Sequence, residues 1–251
     1  MNLVYPWQLY HWHFGITSKC TLKCPRCPRT EYKDQLKLNR DITLAEFQKI
    51  LSPELLKNTV KRITMCGDLG DPIYNKEYLD IVEYIKTSNP DIHLFTITNG
   101  SYKDEAWWKR FASISNDRDT VNFSIDGFDE ESNNIYRINS SWPSIMLGME
   151  IMRKESTAFV HWATDPLEPR AEFVSSSNRY ERIMIPITSR QLDNSDYIET
   201  KEIHFNKVQD KYNRAITPLC LIGTQGMYVN ANGILYPCSW KGLPYSSLTS
   251  N

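Results

Sequence analysis

From residue 10 to residue 163, strand-like and helix-like segments take strict turns. "YHWHFGIT" (10–17) reads as a strand. "TLAEFQKILS" opens on a capping box, Thr43 with Glu46, and places Leu44, Phe47 and Leu51 on one face, which predicts a helix. "VKRITMC" (60–66) alternates as a strand does, and "KEYLDIVEYIKTS" (76–88) has helical period. "IHLFTIT" (92–98) is a strand rich in β-branched and aromatic residues. "KDEAWWKRFASI" (103–114) then reads as a helix, "TVNFSID" (120–126) as a strand, "SIMLGMEIMRKE" (144–155) as a helix and "TAFVHWA" (157–163) as a strand. Strands alternating with helices require a parallel sheet with right-handed crossovers, because consecutive parallel strands must be joined across a face of the sheet. In such sheets ligand sites gather at the C-terminal ends of the strands.

The order fades after Thr164. Residues 165–181 carry two prolines and polar clusters without helical period. "RIMIPIT" (182–188) and "TKEIHF" (200–205) are the candidates for a sixth strand, and neither follows a convincing helix. Near the C-terminus the pattern becomes hairpin-like, with "GMYVNANGILYPC" forming two alternating runs around Asn232-Gly233. The chain therefore divides into residues 1–205, irregular after 164, and a hairpin segment over 206–251. With 251 residues, 41% of them hydrophobic, a sizeable core is expected. A net charge of −1 points to neither nucleic acid nor a membrane surface. No apolar run approaches the roughly 20 residues that span a bilayer. The N-terminus lacks the basic start and clean apolar stretch of a secretory signal. These features predict a cytoplasmic protein with reduced thiols.

Half of the six cysteines fall in "SKCTLKCPRCPRT" (18–30), at spacing C-x3-C-x2-C: Cys20, Cys24 and Cys27. The loop follows the first strand. "CGDLGDP" (66–72) follows the second, "NG" (99–100) the third, and "SIDG" (124–127) ends the fourth. The unusual residues thus share one rim of the sheet. Short-spaced cysteines suit an iron–sulfur cluster, and three of them leave one iron of a [4Fe–4S] cube open to another ligand. Structural zinc would ask for a fourth ligand, with Cys66 the nearest by topology. Cys66 otherwise reads as a small buried hydrophobe at a strand end. Arg26, Arg29 and Lys33 read as a solvated face before a hold for an anionic substrate, His11 and His13 as packed strand residues before a border of the cavity, and Trp107–Trp108 as helix packing.

Taken together, these motifs resemble those of the radical SAM enzymes. Cys20, Cys24 and Cys27 match the cluster signature, Gly70-Asp71-Pro72 resembles the G-E-P motif with Asp in place of Glu, and Thr98–Gly100, Ser124–Gly127 and Arg137 resemble later segments. Arg26 stands before the third cysteine, where the family often has an aromatic residue. The resemblance implies a partial (β/α)6 TIM-like barrel with an irregular, hairpin-containing C-terminal extension. It implies a [4Fe–4S] cluster on the three catalytic cysteines and S-adenosylmethionine held by Gly70, Asp71, Pro72, Asn99, Ser124, Asp126 and Arg137. It also implies an electron donor such as a flavodoxin or ferredoxin. Cys220-x12-Gly233-x4-Cys238 resembles the opening of a truncated SPASM or twitch extension, which makes Cys220 and Cys238 the candidate ligands of a second iron–sulfur cluster and a peptide or protein the expected substrate. The alternative expectation is a degenerate, non-catalytic relative that keeps an iron–sulfur or zinc site for structure or interaction.

Overall fold

The computed structural model describes residues 9–162 apart from 26, 32–33, 35–38, 68 and 128, together with 173–174, 180–181 and 226–236. The first strand, β1 (His11–Phe14), runs into the cysteine loop, which ends in the single turn α1 (Pro28–Glu31). Next come α2 (Leu44–Ile50) and α3 (Pro53–Asn58), then β2 (Arg62–Met65), a 3₁₀ turn (Pro72–Tyr74) and α4 (Tyr78–Ser88). They are followed by β3 (His93–Thr98), α5 (Glu105–Ile114), β4 (Thr120–Phe123), α6 (Glu130–Tyr136), α7 (Trp142–Glu155) and β5 (Phe159–Trp162). The short strands β6 (Phe173–Val174) and β7 (Tyr180–Glu181) pair antiparallel with each other, and β8 (Gly226–Val229) with β9 (Leu235–Tyr236) forms the hairpin.

The local signals work as their chemistry requires. Thr43 caps α2 in a full capping box with Glu46, and the helix buries Phe47. Asp104 caps α5 by accepting from the Trp107 N–H at 2.8 Å, and that helix buries Trp108, Phe111 and Ala112. The three helices without a sequence forecast, α1, α3 and α6, are short. The Ser52 cap sets α3, and the Asp129 capping box sets α6.

The main sheet has the order β5-β4-β3-β2-β1-β8-β9. Among the described residues β1 to β5 and β8 pair in parallel, and β9 pairs antiparallel with β8. This is the parallel sheet of six strands that a partial barrel needs. The sixth strand is the first strand of the hairpin, which lies beside β1 in the register His11↔Gly226 to Phe14↔Val229. The extension is therefore built into the main sheet. The alternative sixth strands at 182–188 and 200–205 lie outside the described residues. The turn also differs from a two-residue Asn-Gly type. Val229 pairs with Leu235, Asn230 N donates to Ile234 O at 3.1 Å, and of the loop residues only Gly233 has positive φ (+74°). That is the pattern of a three-residue loop closed by a left-handed glycine.

Strand alternation separates two faces. Trp12, Phe14, Ile63, Met65, Leu94, Val121, Phe123 and Val160 join the core under the helices. Phe14 meets Phe47 of α2 with ring centres 4.8 Å apart. The opposite face carries the polar residues His11, His13 and Thr64, with His11 Nε2 and Thr64 Oγ1 3.0 Å apart. Among the described residues no helix is long and apolar enough to cross a membrane.

Candidate functional site

A cavity of about 330 Å³ opens at the C-terminal ends of β1 to β4. Cys20, Cys24 and Cys27 enter it from the loop after β1, and Gly70 and Asp71 from the loop after β2. Asn99 follows β3, Ser124 follows β4, and Arg137 follows α6. Eight of the residues expected at the site from sequence are thus brought together. Pro72 and Asp126 do not line the cavity: Pro72 is buried in the 3₁₀ turn, and Asp126 stands behind Arg137 as its ion-pair partner. Cys220 and Cys238 lie outside the described residues, as do Arg26 and Lys33.

The cysteine loop is tied down on both sides. Ser18 N donates to Arg40 O (2.9 Å), Lys23 N to Ile138 O (3.0 Å), and Asn139 Nδ2 to Thr21 O (2.8 Å). Arg29, expected on a solvated face, lines the cavity and donates from Nε to Ser18 O at 3.1 Å. The β2 loop presses directly on the cysteine loop. Asp71 N donates to Lys19 O at 2.8 Å, and a Cβ on Gly70 would fall 2.3 Å from Thr17 O, so only glycine fits there.

Asp71 is the hub of the rim. Its Oδ1 accepts from Thr98 Oγ1 (2.8 Å) and Ile73 N (3.3 Å), and its Oδ2 from Asn99 N and Asn99 Nδ2 (2.6 Å each). Both oxygens are therefore committed to protein donors. Burial pushes its pKa up to about 6, and those hydrogen bonds only partly offset the effect. Tyr74, which sequence reasoning did not single out, joins the same network. Its hydroxyl bonds to Ser101 O (2.6 Å) and lies 2.8 Å from Thr21 Oγ1.

The thiols are not joined in a disulfide. Burial, reinforced by nearby Asp71, pushes Cys20 up to about 12, and burial also raises Cys24 against the opposing pull of Arg137. Such thiols gain thiolate character when a metal takes the place of the proton. Cys66, half-buried just past β2, also lines the cavity, whereas sequence reasoning favoured a plain buried hydrophobe. Among the described residues no three His, Cys, Asp or Glu side chains are gathered tightly enough for one metal ion. A polynuclear cluster gives each cysteine its own iron and so tolerates a wider spread than tetrahedral zinc. A donor set of three thiols facing one cavity fits an iron–sulfur cluster.

Residues 15–162 match the profile of the Radical SAM superfamily. Among curated proteins the chain is similar to GTP 3',8-cyclase of Mannheimia succiniciproducens, 26% identical over 145 residues, covering 57% of this chain and 41% of that one. It is also similar to GTP 3',8-cyclase of Corynebacterium glutamicum, 28% identical over 122 residues, covering 47% of this chain and 31% of the relative. The match thus spans less than half the length of these relatives. Among solved structures, Streptococcus suis SuiB superposes with a TM-score of 0.58 at 12% identity, covering 96% of this chain and 61% of that one. Native anSMEcpe with bound AdoMet gives 0.52 at 16% identity, covering 91% and 74%. At these identities the two structures testify to the fold.

Proposed function

The chain belongs to the radical SAM superfamily, whose cofactors are a [4Fe–4S] cluster and S-adenosylmethionine, and on that premise we propose that it is an enzyme that cleaves S-adenosylmethionine reductively and abstracts hydrogen from a substrate. The observation that carries this reading is the shared cavity. Three cysteines of one loop face the ends of β2, β3 and β4 across a space of about 330 Å³.

In this reading Cys20, Cys24 and Cys27 hold the cluster as thiolates. When bound, the cluster supplies the electron that splits S-adenosylmethionine into methionine and a 5′-deoxyadenosyl radical. The chain's own residues bind and orient. Gly70 lets the β2 loop pack against the cysteine loop beside the methionyl end, while Asp71 and Pro72 fix that loop's shape. Asn99 and Ser124 line the wall where the ribose would lie. Asp71 acts through the backbone it braces, since its oxygens are already occupied. A one-electron donor of flavodoxin or ferredoxin type completes the system.

The substrate admits two readings. The Cys220-x12-Gly233-x4-Cys238 resemblance favours a peptide or protein, with an auxiliary cluster on Cys220 and Cys238. The name of the curated relatives, GTP 3',8-cyclase, favours a nucleotide. Turnover with GTP or with a leader-type peptide, each followed by mass spectrometry, separates the two.

The test of the reaction class needs no substrate. The protein is reconstituted anaerobically with iron and sulfide, then given dithionite and S-adenosylmethionine. The expected products are 5′-deoxyadenosine and methionine. Stoichiometric zinc without iron, or a loaded cluster that yields no 5′-deoxyadenosine, would overturn the reading in favour of a structural metal protein. Replacing Cys20, Cys24 and Cys27 together by Ala should remove the iron.

A further inference from the structure

The loop's sulfur atoms do not sit in a bare cavity. Cys20 Sγ accepts from the Leu22 N–H at 3.4 Å and from Asn99 Nδ2 at 3.6 Å. Arg137 lines the same cavity as Cys24, and its charge opposes the burial that raises that thiol. The sequence resemblance placed Arg137 on S-adenosylmethionine. In the structure its Nε is held by Asp126 in an ion pair, and its guanidinium carbon lies 5.5 Å from the centre of the Tyr136 ring. The side chain is only 23% exposed. Asp126 is oriented in turn, because its N–H donates to Asn133 Oδ1 at 2.9 Å. Arg137 is thus fixed from two sides in the wall of the cavity that the three sulfurs share.

We infer that Arg137, by its fixed charge in the cavity wall, and to a smaller degree Asn99, through Cys20, are positioning residues that set the cluster's reduction potential. The inference rests on the reading that these cysteines hold the cluster. Reduction adds one negative charge, spread over irons and sulfurs. An N–H donor or a fixed cation at a ligand sulfur stabilises the more negative state, so the potential rises. Arginine keeps its charge at any working pH, and its effect is not switched off by a proton. Asn99 is neutral, so its donor counts for less than a charged one. Its second amide hydrogen goes to Asp71, which fixes the direction of the first. The same carboxylate that braces the β2 loop therefore also aims a donor at Cys20.

The test is the reduced-to-oxidised ratio of the reconstituted full chain, read by electron paramagnetic resonance in a viologen buffer of fixed potential, without S-adenosylmethionine. Arg137→Gln should lower that ratio about tenfold, which is 59 mV for one electron. Arg137→Lys, which keeps the charge, should stay near the wild-type ratio. Asn99→Ala should shift the ratio in the same direction as Arg137→Gln, but less. An Arg137→Gln cluster with the wild-type ratio overturns the inference, and lost S-adenosylmethionine binding beside it would return Arg137 to the ligand. Should Arg137→Gln take up no iron, Asn99→Ala decides, and a wild-type ratio there overturns the inference. A wild-type chain that takes up no iron fails at the earlier step and removes the cluster reading itself.

Discussion

Asp71 has two carboxylate oxygens and four donors pointing at them, from Thr98, Ile73 and twice from Asn99. Removing such an acceptor leaves buried donors without partners, at a cost of about 1–3 kcal/mol for each group left unsatisfied. The ionised carboxylate is itself costly to bury, as its raised pKa shows, so the net penalty is smaller than the sum. Asp71→Ala should lower the stability of the metal-free protein by about 2 kcal/mol in urea unfolding. Asp71→Asn should not rescue it, because the new amide turns an N–H toward the donors of Asn99. Wild-type stability in either variant would deny Asp71 its bracing role. The carboxylate was legible in the sequence as a rim residue, but its partners were not, since they depend on which strand ends meet. The place of Cys66 was legible in the sequence as well. It continues the alternation Arg62, Thr64 of β2, so it shares the face of the His11–Thr64 contact and opposes that of Ile63 and Met65 in the core. Its position at the end of an apolar strand suggested packing, yet its place in the alternation already pointed to the cavity.

At the scale of elements, the helices with several turns of apolar period were legible, and α1, α3 and α6 were not. Four to seven residues carry too few turns for a period to show by itself, and the seven-residue α2 was legible because the Thr43–Glu46 capping box marked its start. The pairing of β8 with β1 was hidden for a different reason: a parallel partner from the far end of the chain leaves no local trace. Packing of α7 on α5 shows how closely elements can meet. A Cβ on Gly148 would stand 2.4 Å from Cε2 of Trp108, whose ring is fully buried and lies 5.4 Å from Phe123 by ring centres. Alanine would favour the helix by about 1 kcal/mol. Overpacking a rigid core costs about 1–3 kcal/mol. The clash should win, and Gly148→Ala should melt below the wild type, by about 1 kcal/mol when converted to free energy. A variant that melts higher would mean that α7 can shift away from Trp108 at no cost.

Across the whole molecule, the sheet keeps apolar residues on one face and buries histidines on the other. His11 and His13 are 8% and 9% exposed. Burial pushes both down to about 4 from an ordinary 6.5, and for His11 the charge of Arg62 adds to the effect. Their folded pKa values lie below the unfolded ones. Their contribution is therefore fully present above pH 6.5 and is lost as the pH falls toward 4. Between pH 7 and pH 5 each should cost about 2 kcal/mol of stability. Asp71 works in the opposite sense. Its folded value of about 6 lies above the unfolded 3.8, so the native state gains a proton first and acid returns about 1 kcal/mol over the same interval. The two histidines outweigh the one carboxylate, and His93, whose pKa burial also lowers, adds to their side. The metal-free protein should lose about 3 kcal/mol from pH 7 to pH 5 in urea unfolding. Replacing His11 and His13 together by Gln should flatten the profile and leave the small opposite slope of Asp71 against what His93 retains. An unchanged slope in that double variant would show that the acid sensitivity arises elsewhere than on the inner face of β1.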